Sequence, residues 1–222
     1  MVEVEVAGTR LALLAERAAF VAGHGTLLVA DAHFGKAVSF RRHGVPVPAG
    51  TTREMLGRLD AALAATDARR IVFLGDLLHA RGAKAERTVA EITAWRRANA
   101  SMELTLVRGN HDAHAGDPPP EWGVAVLDGP LRLGPFLLQH EPGGADDGYV
   151  IAGHVHPCTW VGGPGHDRLR LPCFHFGASA GVLPAFGAFT GMQAMPRGPA
   201  DRVWVIAGDL VRELPRAGPE PR

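Results

Sequence analysis

Five short apolar runs along this chain each stop at a cluster of carboxylate, amide or imidazole side chains. Thr26–Ala30 runs into Asp31-Ala32-His33. Residues 71–74 run into Gly75-Asp76, with His79 three positions on. Residues 104–107 precede Gly109-Asn110-His111-Asp112, residues 136–139 precede His140, and Tyr149–Ala152 precedes Gly153-His154-Val155-His156. Apolar runs of four or five residues bounded by turn formers read as buried strands. In sheet-based α/β proteins, sites gather at the carboxyl ends of strands. Five separate strand ends can thus deliver side chains to one place.

Helical patterns separate the first three runs. Thr51-x-x-Glu54 reads as a capping box, followed by Met55, Leu59, Ala62 and Leu63 at helical spacing. Residues 84–98 place Val89 and Ile92 on one face. Strand–helix–strand alternation predicts a largely parallel sheet. The second half differs. Residues 136–139, 149–152, 168–174 and 203–207 read as short strands with no strong amphipathic helix among them, which predicts a second sheet packed on the first. Residues 1–214 are expected to form one domain, and the Pro-, Gly- and Arg-rich tail 215–222 to lack fixed structure.

Of 222 residues, 46% are hydrophobic and the formal net charge is zero. That charge argues against a permanent coat of nucleic acid or membrane, but not against a phosphate-bearing substrate, since bound cations supply positive charge locally. The two cysteines, Cys158 and Cys173, form no metal or disulfide spacing, as expected of a reduced cytoplasmic protein. Glu3, Glu5, Arg10, Glu16 and Arg17 break the N-terminal stretch, which does not read as a signal peptide. The uncharged stretch 171–196 contains Pro172 and Pro184, so it reads as buried strands and turns rather than a membrane helix.

Carboxylate, amide oxygen and imidazole, without thiolate, suit hard or borderline divalent ions. Asp31 and His33 are two apart, so both can face one centre only where the strand becomes a turn; the same holds for His154 and His156. A carboxylate such as Asp76 can bridge two ions. Glycines at 75, 109 and 153 permit tight turns and close backbone approach. A lone strand-end Asp is usually a turn residue, and a lone His usually a surface or core residue. The specific signal is the joint order of five clusters.

That order resembles the calcineurin-like metallophosphoesterase superfamily over residues 31–156. The resemblance implies a two-sheet β-sandwich flanked by helices, and two divalent cations. Asp31, His33 and His156 would hold one cation, Asn110, His140 and His154 the other, and Asp76 would bridge them. His111 would contact the phosphate and protonate the leaving oxygen. A hydroxide bridging the ions would attack in line.

The segments Asp31-Ala32-His33-Phe34-Gly35-Lys36, residues 41–48 (RRHGVPVP) and residues 183–191 (LPAFGAFTG) resemble the ligase-associated DNA damage response endonuclease family, PdeM, over nearly the whole chain. This implies a manganese-dependent nuclease acting on single-stranded DNA, alongside helicase and ligase proteins of a repair pathway. Residues 75–79 (GDLLH) are similar to double-strand-break repair nucleases, in which the matching His, here His79, contacts phosphate. Ala32 departs from the expected Leu, between two ligands.

Lys36, Arg41 and Arg42 follow the first metal motif and are candidate phosphate contacts. The pairs Arg69-Arg70 and Arg96-Arg97 read as solvated surface. Trp95, Trp122, Trp160 and Trp204 read as core residues, Trp160 also lying where it could stack a base. The rival readings are a phosphatase or nucleotide phosphodiesterase with a small substrate, and a non-catalytic scaffold. The presence of every expected ligand and of His111 weighs against the scaffold.

Overall fold

The computed structural model describes residues 1–80, 84–143, 147–162 and 168–216. The expected tail falls mostly outside these residues. Chain order begins with β1 (Val2–Val6), β2 (Thr9–Leu13), β3 (Ala18–Val21) and β4 (Thr26–Ala30). Helices α1 (Lys36–Arg42) and α2 (Thr51–Ala64) lead to β5 (Arg70–Leu74). Next come α3 (Glu86–Ala98), β6 (Glu103–Val107), α4 (Asn110–Ala115) and β7 (Val124–Leu127). These seven strands form one sheet in sequential order.

Strands β4 to β7 are parallel, as the alternation of strand and helix predicts. The sheet as a whole is not. Strands β1 to β4 are joined antiparallel. The period-two pattern of Val2, Val4 and Val6 against Glu3 and Glu5 signals the first of them.

The second sheet contains β8 (Leu131–Leu133), β9 (Phe136–Leu138), β10 (Tyr149–Ala152), β11 (Pro157–Gly162), β12 (Arg168–Phe176) and β13 (Ala180–Val182). It is completed by β14 (Gln193–Ala194), β15 (Arg202–Ala207) and β16 (Leu210–Glu213). Its order is β14-β11-β12-β13-β10-β9-β8, with β15 and β16 extending from β12.

Alternation along the central strands builds two cores. Leu27 and Val29 of β4, with Ile71, Phe73, Leu104 and Leu106, pack on Met55, Leu59, Ile92 and Trp95 of α2 and α3. Leu28 and Ala30, with Val72, Leu74 and Val107, pack on Phe136, Leu138, Ile151, Phe174 and Trp204 of the second sheet. A strand buried on both faces must be apolar throughout, which is why these segments read as continuous runs. Full burial of one such large side chain contributes about 1.5–3 kcal/mol. The layers are therefore helix, sheet and sheet. No helix of the described residues is long and apolar enough to cross a membrane.

Two details differ from expectation. The capping box is not made: Gly50, at φ +88°, is the N-cap of α2, and no side chain caps the helix. Thr51 is drawn into the buried face, while Glu54 lies 3.3 Å from Arg58 on the next turn. Trp160 is not a core residue. It is 55% exposed, whereas Trp95, Trp122 and Trp204 are buried.

Candidate metal centre

The ladder between β4 and β5 continues past both strand ends. The His33 N–H donates to the Asp76 carbonyl at 2.8 Å, Phe34 to Leu77 at 2.8 Å, and His79 back to Phe34 at 3.2 Å. The chain must turn here while staying paired. Asp31, His33, Asp76, His154 and His156 all have positive φ, between 48° and 68°. Such a conformation costs an L-residue about 1–2 kcal/mol and clusters at functional sites. Among the described residues, five of the eight non-glycine residues in this conformation are expected metal ligands.

Two sets of donor atoms result. In the first, His156 Nε2 lies 3.5 Å from Asp31 Oδ1 and 3.4 Å from His33 Nε2. In the second, His140 Nε2 lies 2.9 Å from Asn110 Oδ1 and 3.0 Å from His154 Nδ1. Asp76 stands between them, its Oδ2 lying 3.8 Å from His33 Nε2 and 3.6 Å from His140 Nε2. Asp31, His33, Asp76 and His140 are buried, whereas Asn110 and His154 face solvent. All seven expected ligands therefore meet at one place.

Proton placement tests whether cations fit. His140 Nδ1 donates to the Leu74 carbonyl at 3.0 Å and His156 Nδ1 to the Gly191 carbonyl at 2.9 Å. A carbonyl only accepts, so each ring carries its proton on Nδ1 and, when neutral, turns the Nε2 lone pair inward. Facing lone pairs at about 3 Å repel unless a cation lies between them. A ring held by its outer N–H is also how proteins orient metal-binding histidines. Burial, then the Lys36 ammonium and the neighbouring imidazoles, push His33 far below its ordinary range, so it is neutral; His156 is raised instead, burial lowering it but the hydrogen bond and charge of Asp31 outweighing that. The His33 Nδ1 is buried without a partner.

The carboxylates are oriented by backbone donors. The His154 N–H points at both Asp31 oxygens, at 2.9 and 3.1 Å, and the His111 N–H reaches Asp76 Oδ1 at 2.9 Å. Asp112 lies behind them. Its buried carboxylate accepts the N–H groups of Asp76, Leu78 and Gly109 at 2.7, 3.2 and 3.0 Å, tying the ends of β5 and β6 together. Sequence reasoning gave Asp112 no role. Its signal is the position three residues after Gly109, where a carboxylate reaches back to the first donors of a helix.

The glycines fit this packing. A Cβ on Gly75 would overlap the His140 ring, one on Gly109 the Asp76 carboxylate, and one on Gly153 the Asp31 carboxylate. Gly75 also has φ +77°. Gly75→Ala is expected to displace His140, lowering metal affinity roughly 10–100-fold, as when a ligand is deprived of its supporting partner. Overpacking should cost about 1–3 kcal/mol of stability. Metal titration calorimetry and thermal unfolding check both; wild-type affinity would contradict the packing argument.

His79 and His111 stack 5.1 Å apart beside the first set, with His33 edge-on to both. His111 Nδ1 donates to the His79 carbonyl at 3.0 Å, which leaves Nε2 for chemistry. Burial, then Lys36 and His111, push His79 down to about 4. Lys36 interacts electrostatically with Asp76 and Asp31, and its ammonium lies 5.8 Å from the Phe40 ring centre. Arg41 donates to the carbonyls of Val47 and Pro48 at 3.4 and 2.8 Å. Arg42 is exposed on the last turn of α1.

No family model and no curated protein matches the chain. Solved structures do. The crystal structure of Pseudomonas putida nuclease MPE aligns at 41% identity and a TM-score of 0.85, covering 96% of this chain and 99% of the nuclease. The E. coli phosphoesterase YfcE aligns at 13% identity over 85% of this chain and 97% of its own, with a TM-score of 0.41. With identity of this extent to a nuclease, a two-sheet sandwich, and paired histidine–carboxylate sets at its strand ends, the chain belongs to the metal-dependent phosphoesterases of the calcineurin-like family.

Proposed function

We propose that this protein is a manganese-dependent endonuclease that cuts single-stranded DNA. The carrying observation is the pair of donor sets sharing Asp76. Asp31, His33 and His156 would hold one cation, Asn110, His140 and His154 the other, and Asp76 would serve both. Such a pair, when bound, supplies Lewis-acid charge at the phosphoryl oxygens and acidifies water near neutral pH.

The chain's own residues do the rest. Lys36, with Arg41 and Arg42, attracts the backbone phosphates. His79 positions the scissile phosphate. His111 holds a proton at Nε2 and delivers it to the sugar oxygen as the P–O bond breaks. Water supplies the oxygen that the phosphorus gains and gives up a proton to solvent, from which His111 is reprotonated. The exposed side of the second set, at Asn110 and His154, admits a long unpaired strand that can bend into the site. The likeness to a nuclease supports a nucleic acid over a small phosphoester. The free cysteines Cys158 and Cys173 favour the reducing cytoplasm, and the motif resemblance to a repair endonuclease family supports a pathway shared with a helicase and a ligase.

Chelation is expected to abolish hydrolysis, and added manganese to restore it. Metal-loaded protein should be assayed on single-stranded DNA, duplex DNA and an activated aryl phosphodiester, with single strands cut fastest. Full activity in verified metal-free protein would refute the two-cation reading. Phosphomonoester hydrolysis with no cutting of any DNA would favour the small-substrate alternative. Neutralising Lys36, Arg41 and Arg42 should lower the slope of log affinity against log salt by about 0.7 for each single-strand phosphate that a removed cation had neutralised.

A further inference from the structure

The segment from Ala185 to Gln193 forms a strap over the first donor set. At its start, Arg17 donates to the Ala185 carbonyl at 3.4 Å and Arg58 to the Phe186 carbonyl at 2.7 Å. The Phe186 and Gly187 N–H groups donate to the carbonyls of Ala30 and Asp31 at 2.8 and 3.0 Å. A Cβ on Gly187 would press into the backbone carbonyls of Asp31 and Ala32. At its far end, Gly191 accepts His156 Nδ1 at 2.9 Å, and the Gln193 N–H donates to the His156 carbonyl at 3.0 Å. The strap is thus bonded to Asp31 on one side and to His156 on the other.

Phe189 sits at its midpoint, two residues from each anchor, within about 7 Å of chain either way. It is 44% exposed, unlike Phe186, which is fully buried. Its φ is +57°. An exposed, left-handed position suits Gly, Asn or Asp; a large aromatic there wets apolar surface and accepts backbone strain together. Strain of this kind persists only where the surroundings impose it, and here the anchors at both ends do.

Resting on the nuclease reading above, we infer that Phe189 is a stacking platform for a nucleobase next to the scissile phosphate. A rigid aromatic face stacks on any base, because every base has a π-face. It discriminates between an unpaired strand, whose bases are free to stack, and a duplex, whose bases are already stacked. It also favours DNA over a small phosphodiester that has no base.

The test uses the full-length manganese-loaded protein and its Phe189→Ala and Phe189→Trp variants. Rates are measured on a single-stranded oligonucleotide, on the same strand with abasic residues around the cut, and on an activated aryl phosphodiester. Phe189→Ala should lower the ratio of kcat/KM on the oligonucleotide to that on the aryl phosphodiester roughly tenfold, the scale of removing one base stack. The change should lie mainly in KM. Phe189→Trp should restore the ratio, and abasic residues should erase the difference between wild type and Phe189→Ala. A 2-aminopurine placed beside the cut should be quenched by the wild type and not by Phe189→Ala. Equal losses on all three substrates would overturn stacking in favour of a purely structural strap. Failure of the wild type to cut single-stranded DNA would overturn the nuclease reading and this inference with it.

Discussion

Asp76→Ala is expected to lose both cations and at least about a thousandfold in phosphodiester hydrolysis, since the cation pair supplies several kcal/mol of transition-state stabilisation. One side chain does three jobs here. Its Oδ2 faces both donor sets, its Oδ1 accepts the His111 N–H, and its charge would oppose that of bound divalent ions. Asp76→Asn separates these roles, keeping an acceptor for His111 while removing the charge, and should also fail to retain the pair. Metal content by mass spectrometry, measured beside rates, checks both variants. A variant with two bound metals and intact turnover would refute the bridging assignment.

Stability of the metal-free protein should move the other way. Burial chiefly, with the Asp31 charge adding to it, raises the Asp76 pKa against the opposing pull of His140 and the His111 N–H. A raised carboxyl pKa means that the folded state binds the proton more tightly than the unfolded chain. The ionised group therefore costs stability as pH rises through and beyond the carboxylate range. Asp76→Asn should thus unfold at a temperature equal to or above that of metal-free wild type at neutral pH. It should also gain little from added manganese, whereas the wild type gains by mass action.

His111→Ala should retain both ions yet lose roughly a hundred- to ten-thousand-fold in turnover on DNA, the range for a missing general acid. The truncation spares the His111 backbone N–H that supports Asp76. It removes the imidazole whose Nδ1 is fixed by the His79 carbonyl. On an aryl phosphodiester with a good leaving group the loss should shrink to within about tenfold, because that oxygen needs little protonation. His79→Ala should hurt both substrates, since a phosphate must be positioned whatever its leaving group. Loss of a metal from His111→Ala, or equal losses on both substrates, would contradict the general-acid role. The first outcome would instead place His111 with His33 and His79, whose ring nitrogens come within 4.8 Å of one another.

Residue pattern alone was enough to locate the strand ends and to identify the cluster they carry. Doubly buried strands must be apolar along their whole length, so Thr26–Ala30 and the runs before Gly75 and Gly109 stand out, as do the polar residues that end them. Whether these residues meet depended on the packing of the two sheets. His140 and His156 become inward-facing donors only because the carbonyls of Leu74 and Gly191, 66 and 35 residues away, take their outer protons. Asp112 gains its role from N–H groups on another strand end, and Phe189 gains its place from bonds to Asp31 and His156 at opposite ends of one strap. Local pattern encodes burial, because burial follows periodicity within a strand. Donor direction, ring tautomer and the exposure of Trp160 or Phe189 follow from contacts between distant segments, which periodicity does not carry.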